Sequence, residues 1–278
     1  MRLGIPRIIH QTFRRAALAG ELAASVAALR ALNPGWDYRL YTDEQIPEFI
    51  LDAYGAGMLA EYRKIDPAYG AARADLFRYL CLYKRGGVYL DIKSSAVRPF
   101  DEVLLPDDAY LISQWANKPG GAHEGIGLHR ALEHIPGGEY QQWFIVAAAE
   151  HPFLEAVIVR VLDNLRRYPW GAFGVGRRGV VALTGPIAYT LAIHPLLPRC
   201  PHRKLDISAD GGFVYNIRGH KHEKTDDDFP VHYSRLRHPV VKMTRLQTCL
   251  WATLRVFRRP ISVATYYATR MWMRPARF

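Results

Sequence analysis

The chain has 278 residues, with 37 Lys and Arg against 26 Asp and Glu, for a net charge of +11. Hydrophobic residues make up 49% and charged residues 23%, a globular balance that excludes a disordered or collagen-like chain and supplies material for a buried core. Cys81, Cys200 and Cys249 stand far apart with no C-x-x-C pair, which argues against a disulfide framework or structural zinc and favours a reducing cytosol.

The charge is unevenly placed. From Lys242 to Phe278 there are eight basic residues and no acid, which leaves residues 1–241 with only +3. A nearly balanced body argues against a nucleic-acid-binding surface. The first ten residues lack the apolar core of a signal peptide, and no run approaches the ~18 uninterrupted apolar residues of a spanning helix. A cytoplasmic location without a transmembrane anchor is therefore expected.

In chain order, Ile5–His10 reads as a short buried strand and Glu21–Leu32 as an Ala- and Leu-rich helix. Asn33-Pro34-Gly35 is a turn, Trp36–Tyr41 alternates like a strand, and Thr42 or Asp43 can cap a helix containing Ile46, Phe49 and Ile50. Tyr69–Arg85 is a long apolar helix stopped by Gly86-Gly87, with the strand Val88–Lys93 directly after. Tyr110–Trp115, Trp143–Ala147 and Phe213–Asn216 read as further strands, Pro152–Arg167 as an amphipathic helix, and Thr184-Gly185-Pro186 as the start of another. Alternating strands and helices in the first hundred residues point to an α/β sheet.

The chemistry concentrates in two neighbouring segments. Asp75 and Arg78 are three apart on one helix face. Period two on the following strand sets Tyr89, Asp91 and Lys93 opposite Val88, Leu90 and Ile92. Sequence alone allows both charge pairs to be structural ion pairs.

Around these residues the chain resembles glycosyltransferase family 32, the sugar transferases that carry a D-x-D motif. The resemblance runs through Ile5-Pro6-x-Ile8-Ile9-His10-Gln11, Phe13, Asn33-Pro34-x-Trp36-x-Tyr38, Ala74-Asp75-x-x-Arg78-Tyr79 and Gly86-Gly87-x-Tyr89-x-Asp91. Trp143-Phe144-Ile145, His151-Pro152 and Thr184-Gly185-Pro186 continue it, so that it covers roughly residues 5–190. It implies a GT-A type fold, a Rossmann-like mixed sheet flanked by helices, with a nucleotide-sugar donor at the carboxyl ends of the strands. By this resemblance Asp75 and Arg78 hold the donor sugar, Tyr89 contacts the diphosphate, and Asp91 lies near ribose and metal. Gln11 and Phe13 line the nucleoside pocket, and Gln142 faces donor or acceptor. The implied catalytic group is Asp75, Arg78, Asp91 and Lys93.

One position departs from the pattern. Lys93 stands where the second Asp of D-x-D would ligate Mn²⁺ or Mg²⁺. An ammonium cannot ligate a metal but can neutralise phosphate. The expectation is that Lys93 takes over part of the metal's role or leaves a weaker metal site on Asp91; turned outward and paired with a carboxylate, it would be merely structural. His232 corresponds to a C-terminal family histidine near the metal, although the expected Ser-Trp is replaced by Ser234-Arg235.

The family's reaction retains the anomeric configuration, so no dedicated base is required. The expected activity is transfer of a hexose from a UDP- or GDP-sugar to a glycan or lipid-linked acceptor in surface polysaccharide, capsule or glycolipid synthesis. The alternative is a non-catalytic nucleotide- or glycan-binding protein of the same fold with an impaired metal site. Three further patterns are set aside: Asp226-Asp227-Asp228 in a charged loop, the H-x-H of His220 and His222, and Gly174-x-Gly176-x-x-Gly179, which lacks the strand before it that a dinucleotide site needs. The expected organisation is a catalytic domain over 1–241 and a basic helical tail over 242–278. The tail's Leu, Tyr and Trp faces among arginines suit an anionic membrane surface or packing on the body.

Overall fold

The computed structural model describes residues 4–170, 173–207, 212–217 and 232–257. The elements begin with β1 (Ile8–Thr12), α1 (Gly20–Leu32), β2 (Asp37–Tyr41), α2 (Gln45–Arg63), α3 (Gly70–Arg85) and β3 (Gly87–Leu90). They continue with β4 (Ser95–Ala96), α4 (Phe100–Val103), β5 (Tyr110–Ile112), β6 (Phe144–Ala147) and α5 (Pro152–Arg167). The last are α6 (Gly176–Leu183), α7 (Pro186–Ile193), β7 (Arg203–Lys204), β8 (Phe213–Val214) and α8 (Arg245–Phe257).

A six-stranded sheet has the order β2-β1-β3-β6-β5-β7. β6 runs antiparallel to both of its neighbours, and the other five strands share one direction. A separate pair, β4 and β8, lies antiparallel. This is the mixed α/β sheet flanked by helices that the sequence leads one to expect.

The pleat sorts the core. Tyr89, Ile145, Ala147, Tyr110 and Ile112 join one buried cluster with α3, α5 and α7. Their alternates Ile9, Val88, Leu90, Leu111, Phe144 and Val146 join a second with Phe100 and Phe213. Gly176–Leu196 is apolar and long enough to match a membrane span by composition, yet 72% of its most apolar window is buried within the protein. Gly185 interrupts the run in extended conformation.

Besides shifts of one or two residues elsewhere, three element boundaries differ from the sequence reading. β1 starts at Ile8 rather than Ile5, because Pro6 offers no N–H and its carbonyl instead accepts from Ile8 at 2.8 Å. β5 stops at Ile112, after which the chain departs into the 114–140 segment. The neck of that segment is closed by a Gln114–Tyr140 bridge and by Ser113 Oγ donating to Gln141 Oε1 at 2.7 Å.

The third difference affects the site. β3 ends at Leu90, and Asp91–Ser94 forms a turn closed by Ser94 N–H on the Asp91 carbonyl at 2.7 Å. Lys93 therefore does not share a strand face with Tyr89 and Asp91. The Gln11 amide draws the chain off the ladder by donating to the carbonyls of Asp91 (3.2 Å) and Ser94 (3.4 Å).

Gly86-Gly87 makes the helix-to-strand step possible. Both have positive φ, +62° and +103°, and a Cβ at Gly87 would stand 2.5 Å from the Ile8 carbonyl oxygen. In the tail, Trp251 of α8 is buried and stacks on Tyr168 at 6.4 Å, whereas Leu246 is 80% exposed. The expected second tail helix over 261–273, and the loop with His220, His222 and Asp226–Asp228, lie outside the described residues.

His10 links β1 to the Gly86 turn. Its Nε2 lies 2.9 Å from the Gly86 carbonyl and its Nδ1 3.1 Å from the Tyr41 hydroxyl, with Cys81 Sγ at 3.4 Å. Burial drives its imidazole down from 6.5 to about 4, against a smaller upward pull from the Gly86 carbonyl. Above 6.5 both folded and unfolded chains hold it neutral, and below that only the unfolded chain gains the proton, until about 4 is reached. His10 thus makes stability fall by about 2–3 kcal/mol as pH drops across this window. Because carboxylates with raised values work in the opposite sense, the readout is a difference between chains. Urea unfolding free energies of the natural chain and His10→Gln should converge by about that amount between pH 7.5 and 4.5; parallel pH curves would refute the assignment.

Candidate functional site

The site forms where β1 and β3 end and β6 begins. Because β6 runs backwards, the residues before it, Gln142 and Trp143, reach the same edge as those after β3. The Asp91 N–H bonds to the Trp143 carbonyl at 2.8 Å and so fixes the first residue beyond β3 against the entry to β6. This edge is the crevice position of open α/β sheets.

Arg78 occupies the centre. Its Nη2 lies 3.1 Å from Asp75 Oδ1 and 2.9 Å from Asp91 Oδ1. Nη1 donates to the Gln142 carbonyl at 2.6 Å, and the guanidinium stands 4.7 Å from the Tyr89 ring centroid. The side chains of Asp75 and Arg78 are each only 4% exposed. Burial lowers the pKa of Arg78, but Asp91, Tyr89 and Asp75 outweigh it and the net shift is upward. The guanidinium therefore stays charged.

Asp75 is saturated with donors. Besides Arg78 it accepts from Thr184 Oγ1 at 2.8 Å and from Gln142 Nε2 at 3.2 Å. The Tyr79 hydroxyl orients that amide, lying 2.6 Å from Gln142 Oε1 and 2.9 Å from the Thr184 carbonyl. Burial raises the Asp75 carboxyl, with Arg78, Thr184 and Gln142 pulling it down. Removing one partner of such a buried pair costs about 3–5 kcal/mol, since the other charge is left uncompensated.

Asp91 differs because 38% of its side chain is open to solvent. Desolvation raises its carboxyl to about 6, opposed by Arg78 and reinforced by Asp75. Its open surface still lets water or a ligand reach one carboxylate oxygen while Arg78 holds the other. The Tyr89 hydroxyl lies 3.4 Å from that held oxygen and 3.0 Å from Thr12 Oγ1.

The structure thus brings Asp75, Arg78, Tyr89, Asp91 and Gln142 into one hydrogen-bonded cluster. Gln11 lies directly beneath it, 1% exposed, with Oε1 accepting from the Tyr38 hydroxyl at 2.9 Å and its amide holding the Asp91–Ser94 turn. Phe13 packs with Leu22, Val26 and Ile92 in a small apolar cluster next to this turn. Lys93 sits on the turn itself, half-buried, its carbonyl accepting from Ile217 N–H at 2.9 Å. His232 is exposed, its Nδ1 2.7 Å from Ser234 Oγ.

Three residues of the site were not singled out from sequence. Thr184 was visible as a helix start and as part of the family resemblance, but without a role; in the structure it supplies a donor on Asp75. Thr12 follows Gln11 in the opening motif. Tyr215, 47% exposed, is held by edge contacts with Trp115 (4.9 Å) and Trp143 (5.4 Å), and its carbonyl accepts from Ser94 Oγ at 2.6 Å.

The described residues do not by themselves make up a site for a divalent ion. Among the described residues no group of three His, Cys, Asp or Glu side chains could hold a metal. Asp91 alone offers a carboxylate at the expected place, and Arg78 binds one of its oxygens.

Comparison with known proteins gives consistent matches. Residues 21–110 match the family model described as a glycosyltransferase sugar-binding region containing a DXD motif. Inositol phosphoceramide mannosyltransferase 3 of Schizosaccharomyces pombe is 37% identical over 100 residues, 36% of this chain and 27% of that protein. Inositol phosphoceramide mannosyltransferase 2 of the same yeast is 33% identical over 164 residues, 59% of this chain and 40% of that protein. The initiation-specific alpha-1,6-mannosyltransferase of Candida albicans is 27% identical over 172 residues, 57% of this chain and 43% of that protein. The chain thus spans between about a quarter and a half of the length of these relatives. Among solved structures, the PaToxG glycosyltransferase aligns with a TM-score of 0.47 and 16% identity, covering 70% of this chain and 71% of that one. The ligand-free glycosyltransferase domain of the YGT toxin gives a TM-score of 0.46 and 10% identity, over 73% and 80%. On its motifs and these sequence matches, the chain resembles glycosyltransferase family 32, and residues 21–110 resemble that family's sugar-binding region, with Lys93 at the second position of its DXD motif.

Proposed function

We propose that the protein is a retaining glycosyltransferase that moves a hexose from a nucleotide-sugar donor to a glycan or glycolipid acceptor. The observation that carries this reading is the Asp75–Arg78–Asp91 cluster, held at the carboxyl edge of the sheet with one carboxylate oxygen left open. The names of the relatives support mannose as the hexose and a phosphate-bearing glycolipid as acceptor. Asp75, fully engaged, is the positioning residue, and Asp91 with Arg78 faces the donor. In the retaining mode the acceptor oxygen bonds to the anomeric carbon on the side from which the diphosphate leaves. The carbon–oxygen bond to phosphate breaks, and the acceptor proton passes to the departing phosphate oxygen. The protein's contribution is then electrostatic stabilisation of the leaving group.

Transfer and hydrolysis of labelled GDP- and UDP-hexoses test this directly. Asp91→Asn should lower the rate on the order of a hundredfold or more, with the melting temperature little changed because the asparagine oxygen can still accept from Arg78, which keeps its charge partner Asp75. Equal rates in the two chains would sink the assignment.

Lys93 favours one second reading, a chain that binds nucleotide or glycan without transfer. It predicts sugar-nucleotide binding with no turnover under any metal condition. On the catalytic reading, Lys93 assists the diphosphate, so turnover persists in EDTA and falls in Lys93→Met. Full dependence on Mn²⁺ together with unchanged activity in Lys93→Met would overturn that role.

The tail is proposed to meet an anionic membrane where the acceptor resides. Although Trp251 is docked on the body, Leu246, Cys249 and Arg245 of α8 face solvent, the composition of an interfacial helix. In flotation with phosphatidylserine vesicles, the full chain should float and a chain ending at Val241 should float less. Equal flotation would remove residues 242–278 as the contact.

A further inference from the structure

Tyr79 and Tyr89 of the charged cluster are fully buried, whereas Tyr215 is 47% exposed. Burying its ring would be favourable, so the fold leaves an interaction open there.

The backbone of Tyr215 is tied to the turn that carries Asp91. Residues 212–217 run alongside 93–97. The Val97 N–H donates to the Gly212 carbonyl at 2.6 Å, Ser94 Oγ to the Tyr215 carbonyl at 2.6 Å, and the Ile217 N–H to the Lys93 carbonyl at 2.9 Å. Between these bonds β4 and β8 pair Ser95 with Val214. The Tyr215 ring lies 5.4 Å from that of Trp143, whose carbonyl holds the Asp91 N–H. Ser94 in turn donates its N–H to the Asp91 carbonyl at 2.7 Å. Tyr215 is thus fixed to both anchors of Asp91, to Ser94 through its main chain and to Trp143 through its ring.

The ring is braced a second time by Trp115, at 4.9 Å between centroids and 85° between planes. Trp115 is itself held, by its indole N–H on Glu139 Oε1 at 2.7 Å and by the His123 ring at 4.8 Å. The Trp143 indole N–H is buried without an acceptor, a cost that its ring contacts with Tyr215 and Phe144 have to offset. Two buried tryptophans therefore present the open part of Tyr215 in one orientation, and an aromatic side chain so held loses little freedom when a ligand covers it.

The face of an aromatic ring is electron-rich. A pyranose offers the matching surface, a patch of polarised C–H bonds on one face with hydroxyl donors around the edge. The Asp91 carboxylate, 38% exposed and tied to the same turn, is an acceptor for such hydroxyls. An acyl chain would cover the ring but leave that acceptor unused. We propose that the open face of Tyr215 is the stacking platform for a pyranose ring bound in this cleft. The pyranose is that of the acceptor glycan or the hexose of the donor. Those two sources come from the sugar-transfer reading, but the stacking can be measured without turnover.

The test is a ligand-observed NMR titration of the full chain with the methyl pyranosides of glucose, galactose and mannose. One or more should bind, with saturation of protein aromatic protons passing to the C–H protons of one sugar face. Tyr215→Leu keeps apolar bulk against the two tryptophans but has no aromatic face, and should weaken binding roughly three- to tenfold. Tyr215→Phe, which keeps the ring, should retain most of it. Silence of all three pyranosides with the natural chain, undiminished binding by Tyr215→Leu, or equal losses in Tyr215→Leu and Tyr215→Phe would each overturn the proposal. So would Tyr215-dependent binding of GMP or UMP in place of the pyranosides, which would make the platform a nucleobase site. If an added sugar nucleotide displaces the pyranoside, the ring serves the donor's hexose; if both bind together, it serves the acceptor. Tyr215-dependent pyranoside binding without any sugar transfer would keep this inference and sink the transferase reading. Transfer with donor and acceptor KM values unchanged in Tyr215→Leu would do the reverse.

Discussion

Arg78 binds Asp75 on its own helix, Asp91 at the end of β3 and the carbonyl that precedes β6, so one buried charge joins three elements. A guanidinium that is 4% exposed tolerates few alternatives. Its fork must find acceptors in every direction, or the desolvation cost goes unmet. That requirement fixes the distance from α3 to β3, which Gly86-Gly87 bridges, and the distance from β3 to β6, which the Asp91–Trp143 backbone bond sets. Helix, turn and strand ends are thereby specified together.

The same arrangement divides the two carboxylates by exposure. Asp75 receives three donors and is enclosed; Asp91 shares Arg78 but keeps one side open. The enclosed carboxylate fixes Arg78 from within, while the open one presents charge to whatever enters from outside. Tyr38, Gln11 and the Asp91–Ser94 turn support that open carboxylate from below through a continuous chain of hydrogen bonds. A shift at Tyr38 of β2 would consequently be felt at Asp91, although β2 and β3 are not neighbours in the sheet.

Much of this was legible before the structure. The i,i+3 spacing of Asp75 and Arg78, the Gly-Gly stop and the period-two alternation at Val88–Leu90 each state a local rule, and local rules survive folding. What could not be read depends on distant partners. Thr184 reaches Asp75 across 109 residues. The end of β3 is decided by Gln11, eighty positions earlier, and by Trp143; alternation alone carried the strand on to Lys93. Gly176 and Gly179 matched a failed dinucleotide motif because their use lies in close approaches to Leu236, Gly174 and Val240, which spacing does not reveal.

The direction of β6 has a further consequence. Since β5 leaves at the site edge and β6 enters there, the 114–140 segment starts and finishes at the rim of the cleft. Its neck is closed by Ser113–Gln141 and the Gln114–Tyr140 bridge, and Trp115 in turn is tied to Glu139 at 2.7 Å. A loop whose ends are joined independently of its contents can change length and sequence at small entropic cost. The rim works as an exchangeable cassette: descendants of this fold can revise what they recognise there while inheriting the sheet beneath it unaltered.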